Sequence, residues 1–377
     1  MRKINFGELI IGDIAKNRIQ KAVDKNWISE GENTKEFERL FAEKFGYKYA
    51  IAVSSGTAAC MAALMALHDF GADYGDEVIV PACTFVATAN AVLAAGFSPR
   101  FVDVELETLN MDPDLLEEAI TDNTVAVMPV HLMGKPARMN EIRTIANQHG
   151  AAIIEDCCEA HGAKYHGKYV GTIGDAGCFS FFAAHLIVAG EGGMVVTDDP
   201  KFASVVQSVK SHGRPPGSQY FDFQRYGLNL KTNDLCAAVG IEGMTQFDET
   251  FNKRKQNLIK LLIATSGLTD DCYLIKEEPY ETISPHAFPI VLKEEGHRDA
   301  LYKYLEACGI QCKTLFGSLP TQHNAFNFLG YKPGDFPVAE YIGRNGLHFS
   351  VHKYLSNDDL IYIAETLTKY FEMRTPE

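Results

Sequence analysis

Strand-like and helix-like segments alternate along residues 1–250 of this 377-residue chain. Short apolar runs such as "YAIAVSS", "DEVIVPA", "RFVDVE" and "AAIIEDC" are separated by stretches in which apolar residues recur with a helical period. Parallel strands need long crossover connections, and helices normally supply them. The alternation therefore predicts an α/β fold with a mainly parallel sheet covered by helices on both faces.

The pattern changes near residue 250. A long helical stretch, "FNKRKQNLIKLLIAT", leads into shorter mixed elements, and the last helical stretch begins with a capping pattern formed by Ser356 and Asp359. We predict a large domain over residues 1–250, which includes an N-terminal arm, and a smaller α/β domain over residues 251–377.

Charge and composition argue against several classes of function. The formal net charge is −14, which does not favour broad binding to nucleic acid or to anionic membranes. The longest apolar run, "AACMAALMAL", is too short to span a bilayer, and the N-terminus lacks a secretory signal pattern, so we expect a cytoplasmic protein. The nine cysteines contain no CxxC pair, so we expect neither a metal ion nor an iron–sulfur cluster.

The segment "VSSGTAA" is a candidate phosphate site because it follows a strand and opens a helix. Free backbone N–H groups and the positive end of the helix favour a phosphate there. Ser55 and Thr57 add hydroxyl donors, and Gly56 allows close approach of the backbone. An ordinary capped helix fits the same segment, so the site depends on its companions elsewhere in the chain.

Two acids, Glu155 and Asp156, end the strand in "IIEDCCEAHGA". Ligands bind at the carboxyl ends of strands in such sheets. A carboxylate there can keep a pyridine nitrogen protonated, which is the basis of pyridoxal phosphate (PLP) chemistry. A salt-bridged or capping acid is the alternative. Glu159 follows three residues later and is expected to bind the cofactor near the same edge of the ring, and His161 is either a second polar contact or a packed core histidine.

These segments combine with others into a resemblance that covers nearly the whole chain. The further segments are "WISEG", "PACTFVATANAV", "VHLMGKP", "GDAGCFSFF", "GEGGMVVT", "YGLNLKTNDLCAAVGIEGM" and "LHFSVHKYLS". In this order and spacing they resemble the DegT/DnrJ/EryC1/StrS sugar aminotransferase and dehydratase family. The resemblance implies a fold-type I PLP-dependent transferase fold with a seven-stranded sheet.

The resemblance also implies roles for individual residues. Asp156 would pair with the ring nitrogen of PLP, and Phe85 would stack on the ring face. The residues expected to hold the phosphate are Ser55, Gly56, Thr57 and Ser180, together with Asn229 from the neighbouring subunit. The last role implies a homodimer with shared active sites.

One residue departs from the aminotransferase pattern of the family. Aminotransferases carry a lysine, which binds the cofactor covalently, six residues before the glutamate of "GEGG". That glutamate is Glu191 here, and the residue at the lysine position is His185. Imidazole is not a primary amine and cannot form this link, but it can act as a general acid or base near neutral pH.

A second departure lies in "EDCCE", where the aminotransferases usually have glutamine at the position of Glu159. Both departures resemble the 3-dehydratase branch of the family, which makes 3,6-dideoxysugar precursors. The stretch "SHGRPPGSQYFDFQRYGLNL" has no cysteine, so the resemblance implies the branch without an iron–sulfur cluster, as in GDP-4-keto-6-deoxy-D-mannose 3-dehydratases. The expected substrates are a nucleotide-linked 4-keto-6-deoxyhexose and glutamate, with His185 as acid and base. Leu186 departs from this branch, which often has a second histidine there.

Four further residues are candidates for substrate binding: Trp27, Arg225, Lys231 and Phe316. Arg225 and Lys231 lie near Asn229 and would meet the nucleotide diphosphate, although solvated surface cations are the alternative. Trp27 and Phe316 lie in segments expected near the substrate, or are simply packed. Two other functions stay open, namely an aminotransferase in which the lysine was lost or replaced, and a relative that binds a ligand without catalysis.

Overall fold

The computed structural model describes residues 3–7 and 9–373. The α-helices are α1 (Asp13–Asp24), α2 (Glu32–Phe45), α3 (Gly56–Ala66), α4 (Val86–Ala94), α5 (Pro113–Ala119), α6 (Met139–Gln148), α7 (Pro200–Val209), α8 (Asp234–Thr245), α9 (Phe247–Ala264), α10 (Arg298–Ala307), α11 (Leu319–Gln322), α12 (Pro337–Asn345) and α13 (Asn357–Glu372). The strands are β1 (Tyr49–Val53), β2 (Glu77–Pro81), β3 (Ser98–Val102), β4 (Thr124–Val127), β5 (Ala152–Asp156), β6 (Lys164–Tyr165), β7 (Lys168–Tyr169), β8 (Ala176–Ser180), β9 (Gly193–Thr197), β10 (Cys272–Leu274), β11 (Glu281–Thr282), β12 (Ala287–Leu292), β13 (Cys312–Thr314) and β14 (Gly346–Ser350).

A seven-stranded sheet forms the centre of the molecule, with strand order β1-β9-β8-β5-β4-β2-β3. The pairs β2–β3, β2–β4, β4–β5 and β5–β8 are parallel, whereas β9 runs antiparallel to both β1 and β8. The predicted α/β fold with a mainly parallel sheet is therefore confirmed. The carboxyl ends of β5 and β8 lie side by side, which brings Asp156 and Ser180 to the same edge of the sheet.

Short-range sequence signals set several helix ends. Asp112 caps α5 by accepting a hydrogen bond from Asp114 N, and Pro113 occupies the first turn. Ser356 and Asp359 form the capping box of α13. These ends depend only on residues within one turn of each other, which is why the local sequence was sufficient.

The core lies on both faces of the central sheet. On one face, α3 packs with nearly every side chain buried, including Ala59, Ala63 and Leu64. On the other, α2 contributes Phe37, Phe41 and Phe45, which recur with helical spacing and are all buried. The apolar α3 is thus enclosed by protein, whereas the amphipathic α2 keeps a polar face.

A second, four-stranded antiparallel sheet of order β10-β12-β14-β13 follows α9. Helix α9 runs continuously through residue 250, and the N-terminal residue Ile4 pairs with Ile310 in the C-terminal part. A three-stranded sheet of order β11-β6-β7 also connects the two parts. The division into residues 1–250 and 251–377 stays a prediction.

Within residues 3–7 and 9–373, no helix is both long enough and apolar enough to cross a bilayer.

Candidate active site

The first turn of α3 forms the phosphate end of the site. Ser55 caps this helix, and its Oγ accepts a hydrogen bond from Ala58 N at 3.1 Å. A β-carbon on Gly56 would lie 2.5 Å from Ser180 Cβ, so only glycine allows Ser180 this close to the helix. Gly193 is equally constrained, because a β-carbon there would lie 2.1 Å from Ser55 O.

The predicted phosphate ligands are therefore mostly brought together in one chain. Ser55, Gly56 and Ser180 meet at the helix end, while Thr57 in the same turn is exposed. Asn229 is also exposed, and its neighbour Leu230 accepts a hydrogen bond from Ser54 N at 2.8 Å. The backbone N–H groups of the first helical turn have no acceptor within the helix, which suits them to an anion.

Asp156 lies at the end of β5 with its carboxylate held on both oxygens. The Thr88 hydroxyl donates to Oδ2 at 2.9 Å, and Cys158 N donates to Oδ1 at 3.1 Å. Thr84 Oγ1 lies 3.0 Å from Thr88 Oγ1 and extends this chain of hydroxyls. A carboxylate accepts about four hydrogen bonds, so these two contacts orient Asp156 and leave acceptor capacity for a further donor.

Glu155, the preceding residue, has a different environment because successive side chains of a strand point to opposite faces. Its carboxylate accepts backbone hydrogen bonds from Gly171, Ile173 and Gly174 at 2.6–2.8 Å. His131 Nε2 also lies 3.0 Å from Glu155 Oε2, and its Nδ1 accepts from Ala137 N. Glu155 is therefore a saturated structural acid, and the acid pair divides between two roles.

Glu159 is largely buried, with its side chain 13% exposed, and is held by an unusual backbone segment. Met133, whose φ of +54° is rare for a residue with a side chain, donates its N–H to Glu159 Oε2 at 2.7 Å. His286 Nε2 lies 3.5 Å from the other oxygen, Oε1. Burial raises the pKa of Glu159 to about 7, and Asp156 contributes in the same direction.

His185 lies in the loop between β8 and β9, where the sequence predicted it. Its ring centre is 5.3 Å from that of His286 and 5.9 Å from that of His161. Burial lowers the pKa of His185 to about 3, and the positive charges of Arg254 and Lys313 add to this. The imidazole is therefore neutral at physiological pH, with its Nδ1 buried and without a hydrogen-bond partner among the described residues.

Of the two alternatives for His161, a polar contact or a packed core histidine, the structure supports the second. Its ring lies between Phe179 and Phe181, with ring centres 5.6 and 5.5 Å away and nearly parallel planes. Burial holds its pKa well below the usual range. It supports the loop of His185 through Nδ1, which accepts from Ile187 N at 3.5 Å.

Two aromatic residues border the site from different parts of the chain. Phe85 precedes α4 and is 56% exposed, which leaves one face of its ring open. Phe316 follows β13 and lies 5.6 Å from Phe85 between ring centres. The predicted stacking residue and the predicted substrate residue are therefore neighbours.

The other three predicted substrate residues are more scattered. Arg225 is engaged within the chain, because its Nε lies 3.0 and 2.9 Å from the two oxygens of Asp69 and its Nη1 lies 2.5 Å from Ser208 Oγ. Lys231 is half-buried, and Trp27 is 59% exposed with its indole N–H donating to Glu30 O. Their roles in substrate binding stay predictions.

Sequence reasoning missed the residues that reach the site from distant segments. These residues are Thr88, Met133, Arg254, His286 and His348. Thr88, Met133 and His348 lie in the segments "PACTFVATANAV", "VHLMGKP" and "LHFSVHKYLS", but no individual role was predicted for them from the sequence. Arg254 and His286 reach the site through contacts between residues far apart in sequence, which no local pattern reveals.

The chemistry of these donors fits a phosphorylated pyridine cofactor. The helix end with Ser55, Gly56 and Ser180 suits a phosphate, and Asp156 suits a protonated ring nitrogen. The phosphate end and the Asp156 end of the site are adjacent. A β-carbon on Gly56 would lie 2.9 Å from Cys158 Sγ, and Cys158 N donates a hydrogen bond to Asp156. The exposed ring of Phe85 can cover such a cofactor.

Comparison with known proteins agrees with this assignment. The chain is 34% identical to GDP-perosamine synthase of Escherichia coli O157:H7, over 94% of this chain and 95% of that protein. It is also 34% identical to GDP-4-keto-6-deoxy-D-mannose 3-dehydratase of Yersinia pseudotuberculosis, over 89% of this chain and 91% of that protein.

Comparison with solved structures also identifies relatives in this family. The Escherichia coli GDP-4-keto-6-deoxy-D-mannose-3-dehydratase with bound hydrated PLP superposes with a TM-score of 0.88 at 29% identity, over 97% of this chain and all of that one. Residues 10–368 match the sequence profile of the DegT/DnrJ/EryC1/StrS aminotransferase family. This chain belongs to that family of PLP-dependent sugar aminotransferases and dehydratases.

Proposed function

We propose that this protein is a PLP/PMP-dependent 3-dehydratase of a nucleotide-linked 4-keto-6-deoxyhexose, with glutamate as amino donor. The observation that carries the proposal is His185, an imidazole at the position where the aminotransferases have their lysine. Glu159 beside it supports the same branch, because the aminotransferases usually have an amide there. The reaction would remove the 3-hydroxyl of the sugar, release ammonia and give a 3,6-dideoxysugar precursor.

In this proposal the chain holds the cofactor without a covalent bond. Ser55, Gly56 and Ser180 bind the phosphate, and Asp156 keeps the ring nitrogen protonated. When bound, the cofactor supplies an electron sink through its protonated ring. The Escherichia coli 3-dehydratase structure named above contains hydrated PLP. This form of the cofactor is consistent with a site in which no lysine is bonded to the aldehyde carbon of PLP.

His185 would move the protons of the reaction. The imidazole is neutral, so one of its ring nitrogens has a free lone pair that would take up a proton beside the cofactor. The same imidazole, once protonated, can return the proton to the departing 3-hydroxyl.

Two features support a homodimer and a GDP-linked substrate. A segment of exposed aromatic side chains, comprising Tyr220, Phe221, Phe223 and Tyr226, is 57–83% exposed in the single chain, and such a patch is typical of an interface. The named relatives of both reaction types act on GDP-linked sugars. We therefore propose GDP-4-keto-6-deoxymannose as the first substrate to test.

Aminotransfer to the same class of sugar is the second candidate. It is supported by the 34% identity to a GDP-perosamine synthase. It leaves both His185 and Glu159 without an explanation, since neither the lost amine nor the added carboxylate serves aminotransfer. A relative that binds without catalysis is less well supported, because Asp156 and the phosphate residues are all retained and organised.

The test is to identify the product. The protein is incubated with PLP, glutamate and GDP- or dTDP-linked 4-keto-6-deoxysugars, and the masses of the products are measured by mass spectrometry. A dehydratase gives a sugar that has lost one oxygen, with ammonia released. A product in which the ketone has become an amine supports the aminotransferase instead, and unchanged sugars throughout the panel contradict both enzymes.

A further inference from the structure

His286 reaches the candidate site from the C-terminal part of the chain, just before β12. Its backbone is fixed by Arg254, which donates to Pro285 O at 2.8 Å and to His286 O. Ser284, two residues earlier, packs so closely on Gly134 that a β-carbon on this glycine would lie 2.1 Å from Ser284 O. The imidazole of His286 is therefore held in a buried position, 6% exposed.

The two nitrogens of His286 face different groups. Nε2 lies 3.5 Å from Glu159 Oε1, so this edge of the ring faces the buried acid. Nδ1 is buried and has no hydrogen-bond partner among the described residues. The ring centre lies 5.3 Å from that of His185, whose own Nδ1 is equally buried and unpartnered. Buried nitrogens without hydrogen bonds lower the stability of the fold, so two adjacent imidazoles of this kind need a hydrogen bond to each other or to a ligand.

We propose that His286 is a positioning residue that transmits the protonation state of Glu159 to His185 by changing tautomer. The inference rests on the proposed function, in which His185 carries the reacting proton. It adds a residue that the family resemblance does not assign.

The tautomers follow from the number of protons available. His286 stays neutral, so one nitrogen donates and the other accepts. When Glu159 is ionised, Nε2–H donates to it and Nδ1 accepts. When Glu159 is protonated, Nε2 accepts from it and Nδ1–H donates. The protonation state of Glu159 therefore decides whether His286 offers a donor or an acceptor at Nδ1, on a ring whose centre lies 5.3 Å from that of His185.

The charges around the pair favour a neutral His286 and an acid that titrates near neutrality. Burial holds the pKa of His286 well below its usual range, and the positive charge of Arg254 acts in the same direction. The other titratable groups that face it and act in this direction are His185, His348 and His161. Glu159 faces Asp156, which raises its pKa, and Lys313, which lowers it.

The test reads the tautomer directly and needs no turnover. The full-length protein with PLP is labelled with ¹⁵N-histidine, and two-bond ¹H–¹⁵N spectra are recorded from pH 5.5 to 9, with H286Q identifying the signals. We expect His286 to change from the Nδ1–H to the Nε2–H form with a midpoint near pH 7, without becoming doubly protonated. We expect E159Q to abolish this change.

One tautomer throughout the pH range, a doubly protonated ring, or a change that persists in E159Q would overturn the proposal. Because these spectra do not depend on the reaction, they remain informative even if the proposed dehydratase activity is absent.

A kinetic experiment separates positioning from a merely structural role. If the dehydratase assay succeeds, H286Q should lower kcat by about 10²-fold with little change in KM, and E159Q/H286Q should be no slower than E159Q. H149Q, which changes an exposed histidine after α6, is the control and should keep the full rate. Multiplicative losses in the double variant would show that His286 does not act through Glu159.

Discussion

Glu155 and Asp156 are neighbours on one strand, yet they differ in almost every property that determines what an acid does. Glu155 accepts three backbone N–H groups and faces His131, so its carboxylate is fully used by the fold. Asp156 accepts one hydroxyl and one backbone N–H, and these orient it toward the end of α3. The number of donors already in place, rather than burial, separates the structural acid from the functional one, since both are nearly inaccessible.

The difference has a simple origin in strand geometry. Side chains alternate between the two faces of a sheet, so adjacent acids cannot share an environment. One face at the end of β5 is closed by the loop around residues 171–174, and the other opens toward the phosphate end of the site. The same substitution at the two positions should therefore give opposite results.

D156N should cause the largest loss of activity. Asparagine cannot hold a positive charge on the ring nitrogen, so we expect kcat to fall by about 10³-fold or more. The amide can still bond Thr88 and Cys158, so the free energy of unfolding should change by less than about 1 kcal/mol. Dehydratase rates and urea denaturation, measured on the same preparation, check both statements. Full activity in D156N would contradict the role assigned to Asp156.

E155Q should reverse this pattern. Its new amide N–H₂ would face backbone donors, so we expect the free energy of unfolding to fall by about 3 kcal/mol. Urea denaturation measures this loss. The activity of the remaining folded protein should stay close to that of the wild type. A stable but inactive E155Q would mean that the two acids share the catalytic role.

The pH dependence of stability tests the environment of Glu159. Its pKa is raised from 4.5 to about 7, so the folded state holds this proton more tightly than the unfolded state does. The resulting stability is fully present below pH 4.5 and is lost as pH rises through 7. The free energy of unfolding of the wild type minus that of E159Q should therefore decrease by about 3 kcal/mol as pH rises across this window. A flat difference from pH 4.5 to 8 would contradict the raised pKa.

T88V should have the smallest effect and tests how Asp156 is oriented. Valine has the shape of threonine but removes the hydroxyl that donates to Asp156 Oδ2. We expect a loss of about 1 kcal/mol in stability and about a 10-fold loss in kcat, because one of two orienting contacts is lost. T144V removes an exposed helical hydroxyl that bonds Asn140 O and is the control. Equal effects of the two substitutions would show that Thr88 serves only the fold.

The same contrast explains what the sequence could predict. Local signals located the strands, the caps at Asp112 and Ser356, and the cluster of Ser55 and Gly56, because each depends on residues close in the chain. The resemblance added His185 and Asp156, and the structure places both at the carboxyl end of the sheet. The residues alone did not separate Glu155 from Asp156, because the physical distinction requires the loop at residues 171–174 to fold back on β5.

Long-range contacts account for the other omissions. His286 reaches Glu159 across 127 positions of sequence, and only the packing of the C-terminal part on the large sheet shows it. Arg225 illustrates the opposite case, because the sequence suggested an unpaired cation and the structure pairs it with Asp69. A charged residue near a motif is therefore weak evidence for a ligand contact until its partners are known.

The most direct test of the central claim compares the wild type with H185N at equal PLP occupancy. Both are given glutamate and a GDP-linked 4-keto-6-deoxysugar, and the release of ammonia is followed together with the mass of the sugar. If His185 carries the reacting proton, the wild type produces the deoxygenated sugar and H185N is slower by about 10²–10⁴-fold. An unchanged rate of deoxygenation in H185N would contradict the account.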